Sequence, residues 1–220
     1  MLDITYRNAN INDISIIVDA IIEAEKSGTN RLSYTAIFGL TENEVRKYLK
    51  EMLLEEIDGC GELSISSYMI AEKDKKSVAA ACAWIEGKEG VPTQVLKGNL
   101  LRHVLPREVI MKSIAIKELL HELHFDYKSN AIHMGAGYVV KESRGHGLFR
   151  IIKEMQIEQL MKENPEVTEA YVDTFEVSKA ALRSSEKLGF QLIEIKEASS
   201  DEILKYLPSK RKYFLKKTLK

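Results

Sequence analysis

The sequence predicts an α/β (α+β) fold, in which short strands alternate with amphipathic helices inside one domain covering residues 1–220. Three observations carry this reading. Ile132, Met134, Tyr138, Val139 and Val140 make an apolar, β-prone run broken by Gly135 and Gly137. After a turn containing Gly145 and Gly147, Leu148, Ile151, Ile152 and Met155 recur at i, i+3, i+4 and i+7, one stripe of a helix. Finally, 45% apolar and 30% charged residues in a chain of 220 suit a folded domain with a sizeable core.

The elements follow in order. Asp3 to Arg7 alternates as a first strand, and Asn10 or Asn12 caps a helix with Ile14, Ile17, Val18, Ile21 and Ile22 on one face, ending near Gly28. Thr41-Glu42-Asn43-Glu44 is a capping box that opens a helix to about Glu56. Asp58 to Gly61 is a turn. Tyr68 to Glu72 and Val78 to Ile85, joined at Asp74-Lys75-Lys76, make an antiparallel hairpin, although Ala79-Ala80-Ala81 suits a helix equally. Residues 88–130 contain Pro92, Pro106 and the apolar positions Val109, Ile110, Ile114, Ile116, Leu119, Leu120 and Leu123, a helical insertion. It is read either as extra core or a dimer surface, or as a wall or lid over a site. After the central strand and helix, Asn164-Pro165 stops the helix and Ala170 to Phe175 is a strand. Ser178 caps a short helix ending at Gly189, and Phe190 to Ile195 and Tyr213 to Leu219 close the chain as strands.

Composition excludes several classes. The net charge of −1, with both signs interspersed, advertises no basic face for nucleic acid. Cys60 and Cys82 are too few for a disulfide framework and lack metal-ligand spacing, so a reducing cytoplasm is expected. The start Met1-Leu2-Asp3-Ile4 shows no signal peptide, and no apolar run reaches the ~20 residues of a membrane span.

The chemistry concentrates at Arg144-Gly145-His146-Gly147-Leu148-Phe149. Two glycines let the chain turn tightly and expose its amides, and a helix beginning there adds unpaired N–H groups and the positive end of its dipole. Such a turn holds an anion, for instance a phosphate. It fits neither Gly-x-Gly-x-x-Gly, since Arg150 takes the third position, nor Gly-x-x-x-x-Gly-Lys-Ser/Thr.

Val139 followed by Arg144 to Phe149 resembles the Arg/Gln-x-x-Gly-x-Gly/Ala loop of the GNAT superfamily of N-acetyltransferases, with Phe149 where that family prefers Gly or Ala. Glu186-Lys187-Leu188-Gly189-Phe190 resembles a second family element at the family's spacing. The resemblance covers the second half of the chain. It implies a central, mixed, mostly antiparallel sheet flanked by helices, with acetyl-CoA as acyl donor and no metal. It further implies that Arg144, Gly145, His146, Gly147, Leu148 and Phe149 hold the coenzyme A pyrophosphate, with Arg150 as a further contact. Tyr138, Val139 and Val140 would pair their backbone with the pantetheine arm, and Gly135 and Gly137 would let the thioester approach.

Transfer needs a base for the acceptor ammonium and a proton source for the thiolate. His133 is the expected base: several family members carry Glu or His here, and alternation puts 133, 135, 137 and 139 on one face, barring a bulge. Glu86 is second choice. The family's acid is a Tyr before the Glu-Lys element. That position is Ser185 here, and Ser178 stands where relatives have Asn. His121 and His124 lie i, i+3 on the insertion without a third ligand and are expected to be a solvated face. The implied activity is acetyl transfer to a primary amine, on a small molecule or a protein, by a chain that forms a homodimer in many relatives. The alternatives are a GNAT-like module that binds acyl-CoA without turnover, and a binding module with no coenzyme.

Overall fold

Asp74 and Lys75 both take positive φ, +50° and +61°, the two-residue reversal whose twist matches that of the strands it joins. It closes the hairpin between β2 (Tyr68–Lys73) and β3 (Lys76–Ile85), so the three alanines are strand. From Val78 to Ile85 every residue of β3 is buried, because helices cover both faces of the sheet there and small side chains let them close in. The computed structural model describes residues 4–88 and 90–219; the expected start of the first strand at Asp3 lies outside them.

The remaining elements are β1 (Ile4–Asn8), α1 (Ile14–Lys26), α2 (Ser33–Phe38), α3 (Glu42–Leu54), α4 (Thr93–Val104), α5 (Arg107–Ala115), α6 (Lys117–His121), β4 (Ile132–Val139), α7 (Leu148–Glu163), β5 (Glu169–Phe175), α8 (Lys179–Lys187), β6 (Gln191–Glu197) and β7 (Arg211–Thr218). The strands form one sheet in the order β1-β2-β3-β4-β5-β7-β6. Every pairing is antiparallel except β4 with β5. The mixed, mostly antiparallel sheet with a helical insertion between β3 and β4 is therefore as expected.

On one face, α1 buries Ile17, Val18, Ile21 and Ile22 together with α3, α4 and α5 residues such as Leu49, Leu100 and Val109. The capping box of α3 is present: Glu44 N–H donates to Thr41 Oγ1 at 3.3 Å and Thr41 N–H to Glu44 Oε2 at 2.8 Å. The insertion thus supplies core. Through Lys97 of α4 it also supplies one wall of the cleft described below. α2, six residues long, is too short to leave a periodic trace and was not expected; its Tyr34 and Phe38 rings meet at 5.7 Å.

On the other face, α7 and α8 cover β2 to β5. Here the expected stripe is rotated. Leu148, Ile152 and Ile157 are buried, but Ile151 and Met155 are only half-buried, and the polar Lys153 and Gln156 take their place against the sheet. Ser178 sits at the N-cap position of α8, yet its side chain makes no capping hydrogen bond.

Candidate active site

The site begins with a break in strand pairing. β4 and β5 are in register only from Ile132–Ala170 to Met134–Val172, and beyond Met134 β4 has no strand partner on that side among the described residues. β4 also bulges against β3. Ala81 pairs with Gly137 and Ala83 with Met134, so Cys82 alone faces both Gly135 and Ala136. Two consecutive residues therefore turn to the α1 side. A Cβ on Gly135 would lie 2.6 Å from Cys82 Sγ and from Trp84 Cζ3, and Ala136 packs in the α1 cluster. Where β4 and β5 part lies a cleft of about 840 Å³. Its walls are Met134 to Val139 of β4, Val172 to Phe175 of β5, α8, and the C-terminal end of α1.

At one end of the cleft lies the glycine turn. Gly145 (φ +84°) and Gly147 (φ +75°) occupy the left-handed region, and a Cβ at either would meet nothing within 4 Å. Gly147 is the N-cap of the 16-residue α7 and provides no side-chain cap. The first helical acceptor is Gly147 O, which receives Ile151 N–H at 3.0 Å, leaving the amides of Leu148, Phe149 and Arg150 without a helical acceptor. Arg144 Nε donates to Val139 O at 3.0 Å, its guanidinium 5.9 Å from the Tyr138 ring centroid. The exposed His146 has Nδ1 3.3 Å from Ser143 O. A bare helix N-terminus flanked by cations, opening on a free strand edge, suits an extended ligand with a doubly charged phosphate group.

No sequence-family model and no curated protein sequence matches the chain. Solved structures do. An N-acetyltransferase from Staphylococcus aureus Mu50 superposes with a TM-score of 0.65 at 14% identity, over 97% of this chain and all of that one. A polyamine N-acetyltransferase of Drosophila melanogaster, described as forming N-acetylagmatine, gives 0.57 at 14% identity over 99% of this chain and all of that one. A Salmonella typhimurium structure with its cofactor acetyl-CoA gives 0.50 at 11% identity over 99% and 94%. The chain has the GNAT acetyltransferase fold.

Within the GNAT fold, the expected coenzyme residues fall along one path. Tyr138, Val139, Arg144, Phe149 and Ser178 line the cleft, while Gly145, His146, Gly147 and Leu148 lie in the turn between its lining residues Arg144 and Phe149 without lining it themselves. Val140 is a correction. Its N–H donates to Val78 O at 2.9 Å, so that amide faces β3 and is not free for a ligand, and the backbone of Tyr138, two residues back and opposite Ala80, faces the same way. Phe149 is where the turn departs from the family pattern: a Cβ on Gly137 would lie 2.2 Å from its ring, which therefore rests directly on that glycine.

His133 is also a correction. The bulge breaks the alternation, so Gly137 faces α7 while 133 and 135 face the α1 side. His133 is 1% exposed, inside a box of Trp84, Tyr127, Tyr171 and Phe214, and its Nε2 has no hydrogen-bond partner among the described residues. Burial pulls its pKa down to about 4, so at neutral pH it is an uncharged ring behind the cleft wall. The unfolded chain binds this proton near pH 6.5 and the folded one only near 4. Its contribution is therefore complete above 6.5 and is lost as pH falls towards 4, by about 3 kcal/mol over that window. His133→Phe is expected to remove this component, so urea unfolding of the variant will depend less steeply on pH between 6.5 and 4. Equal slopes would refute the assignment. Glu86 is likewise withdrawn: it is buried, and its oxygens accept from Trp84 Nε1 at 3.1 Å and Thr93 N–H at 2.9 Å.

The carboxylates that do reach the cleft went unnoticed in the sequence. Glu23 and Glu25 come from the last turn of α1, Glu62 from a short turn, and Asp173 from β5. Glu62 pairs with Lys97 and Asp173 with Lys212, and Tyr127 Oη donates to Asp173 Oδ1 at 3.2 Å. Glu25 makes no ion pair among the described residues, and burial raises its carboxyl above the usual range. On the opposite wall Ser185, 7% exposed, turns towards the cleft from α8 beside Ser184. The stacked His121 and His124 rings lie 5.5 Å apart, and no group of three metal-ligating side chains occurs among the described residues.

Proposed function

We propose that this protein transfers an acetyl group from acetyl-CoA to a primary amine by direct attack, with Glu25 as the general base. The observation that carries the reading is the cleft itself: a β4 edge leads from the bare amides of α7 to the Glu25 carboxylate, which Lys97 and Lys212 influence from a distance but which forms no ion pair among the described residues. The α7 N-terminus and Arg144 would hold the pyrophosphate, and the β4 edge at Val139, whose backbone points away from β3, the extended arm. An acyl carbonyl at the bulge would meet main-chain donors as its oxygen gains charge. Glu25, with its raised pKa, takes the proton from the acceptor ammonium, and the Ser185 hydroxyl faces the side where a thiolate would depart. Glu23 and Glu25 favour an acceptor with a second positive charge, the class named for the agmatine and polyamine acetyltransferases of this fold.

Phe149 favours one alternative, coenzyme binding without turnover, because its ring narrows the groove over Gly137. Thiol release from acetyl-CoA, measured against agmatine, spermidine, amino sugars and a peptide N-terminus, separates the two. Turnover with a di- or polycationic amine is expected. Coenzyme A binding without thiol release across the panel would select the alternative, and absence of binding would remove both.

A further inference from the structure

α7 holds an oddity that neither the turn nor the acid–base pair uses. Lys153, two turns into the helix, is 2% exposed and points into the sheet, where the apolar stripe calls for a leucine. A buried ammonium without an anion is costly and survives only where its hydrogen bonds are needed. Among the described residues Lys153 forms no ion pair. Its Nζ instead donates to Cys82 O at 2.6 Å and Gly135 O at 3.1 Å. Those carbonyls belong to the two sides of the bulge: the single β3 residue, and the first of the two β4 residues opposite it. The neighbouring Gln156 acts alike, its Nε2 donating to Ala81 O and Ser67 O at 3.0 Å each. An ammonium has three donors, and the cleft wall includes Lys153.

We propose that Lys153, through these two hydrogen bonds, is the positioning residue that sets the bulge's main chain against the acyl group during transfer. The inference rests on the acetyltransferase reading above. Bulges aim backbone groups, and a bulge without a ladder partner at Gly135 and Ala136 needs an outside anchor to keep one shape. The ammonium is that anchor: a neutral amine would keep two donors but lose the charge that makes both bonds strong.

Burial lowers the Lys153 pKa to about 8. The titratable group acting on it is the Cys82 thiol on β3, itself pushed up to about 11 by burial. On α7 itself, Glu154 and Arg150 pair with each other at 3.9 Å. Turnover should therefore decline as pH rises through about 8, with the loss of the ammonium.

The test compares the parent with Lys153→Met and Lys153→Arg, using calorimetry with coenzyme A and thiol release from acetyl-CoA with the amine of highest rate. In Lys153→Met, coenzyme A affinity should stay within about threefold while kcat falls at least about tenfold, since the anchor is lost but the phosphate turn is not. Lys153→Arg, which cannot lose its charge, should recover part of kcat and lack the decline above pH 8. A Met variant with parental kcat, or an Arg variant that keeps the parental decline, overturns the proposal. If the Met variant does not fold, the Arg profile decides. A parent that binds no coenzyme A instead overturns the acetyltransferase reading, so the two failures are distinct.

Discussion

Glu25→Gln will lower turnover of a primary amine by about a hundredfold or more, the range a positioned general base contributes, while coenzyme A affinity changes little. Glutamine keeps the volume and the hydrogen-bonding shape of the side chain at the end of α1, so the cleft wall survives. It cannot take a proton. The pH profile adds a second readout: burial raises the Glu25 carboxyl, so the acid limb of kcat/KM in the parent should lie above the ordinary carboxylate range. Below that limb the base is protonated and the rate falls; above it the base is free. Parental turnover in the variant would transfer the role elsewhere in the cleft, with Asp173 next in line despite its pairing with Lys212.

Gly147→Asp is the second large effect. The position has φ +75° and open space for a side chain, so an aspartate fits at a cost of about 1 kcal/mol in backbone strain. Its carboxylate would stand beside the unpaired amides of α7, both repelling a pyrophosphate and taking the amides for itself as a cap. Coenzyme A affinity should fall by about a hundredfold or more, the scale of losing charge-assisted hydrogen bonds and adding like charge. Gly147→Asn carries the same strain without the charge and separates the two causes. A thermal melt reads the result directly. The parent with coenzyme A at 100 times its Kd should gain about 2.7 kcal/mol, and the Asp variant almost nothing at the same concentration. An unchanged shift would remove the turn from coenzyme binding.

Why some of this was readable from sequence and some not follows from how far each signal reaches. The strand–turn–helix unit, the Thr41 capping box and the 74–75 reversal are local: residue spacing and a few backbone preferences specify them within a dozen positions. The turn from Arg144 to Phe149 was legible for the same reason, since glycines at positive φ and a helix start are set by neighbours in the chain. α2 left no trace because six residues do not complete two turns.

His133 shows where local reasoning ends. Alternation assigned its face correctly only as far as the bulge. One extra residue opposite Cys82 moved Gly137 to the other side, and the aromatic box that buries the imidazole comes from β3, β5, β7 and the segment before β4. Lys153 and Glu25 are the converse. Each looks like a solvent-facing charge on an amphipathic helix, and only the sheet beneath α7 and the cleft beside α1 give them neighbours that change their pKa.

By itself, then, the order of residues determined the α/β class, most elements and the glycine turn that opens α7, because those depend on short-range spacing and backbone sterics. The packing of distant strands decided which titratable groups meet water, which are sealed and which face the cleft, because desolvation and hydrogen bonding are set by atoms far apart in the chain.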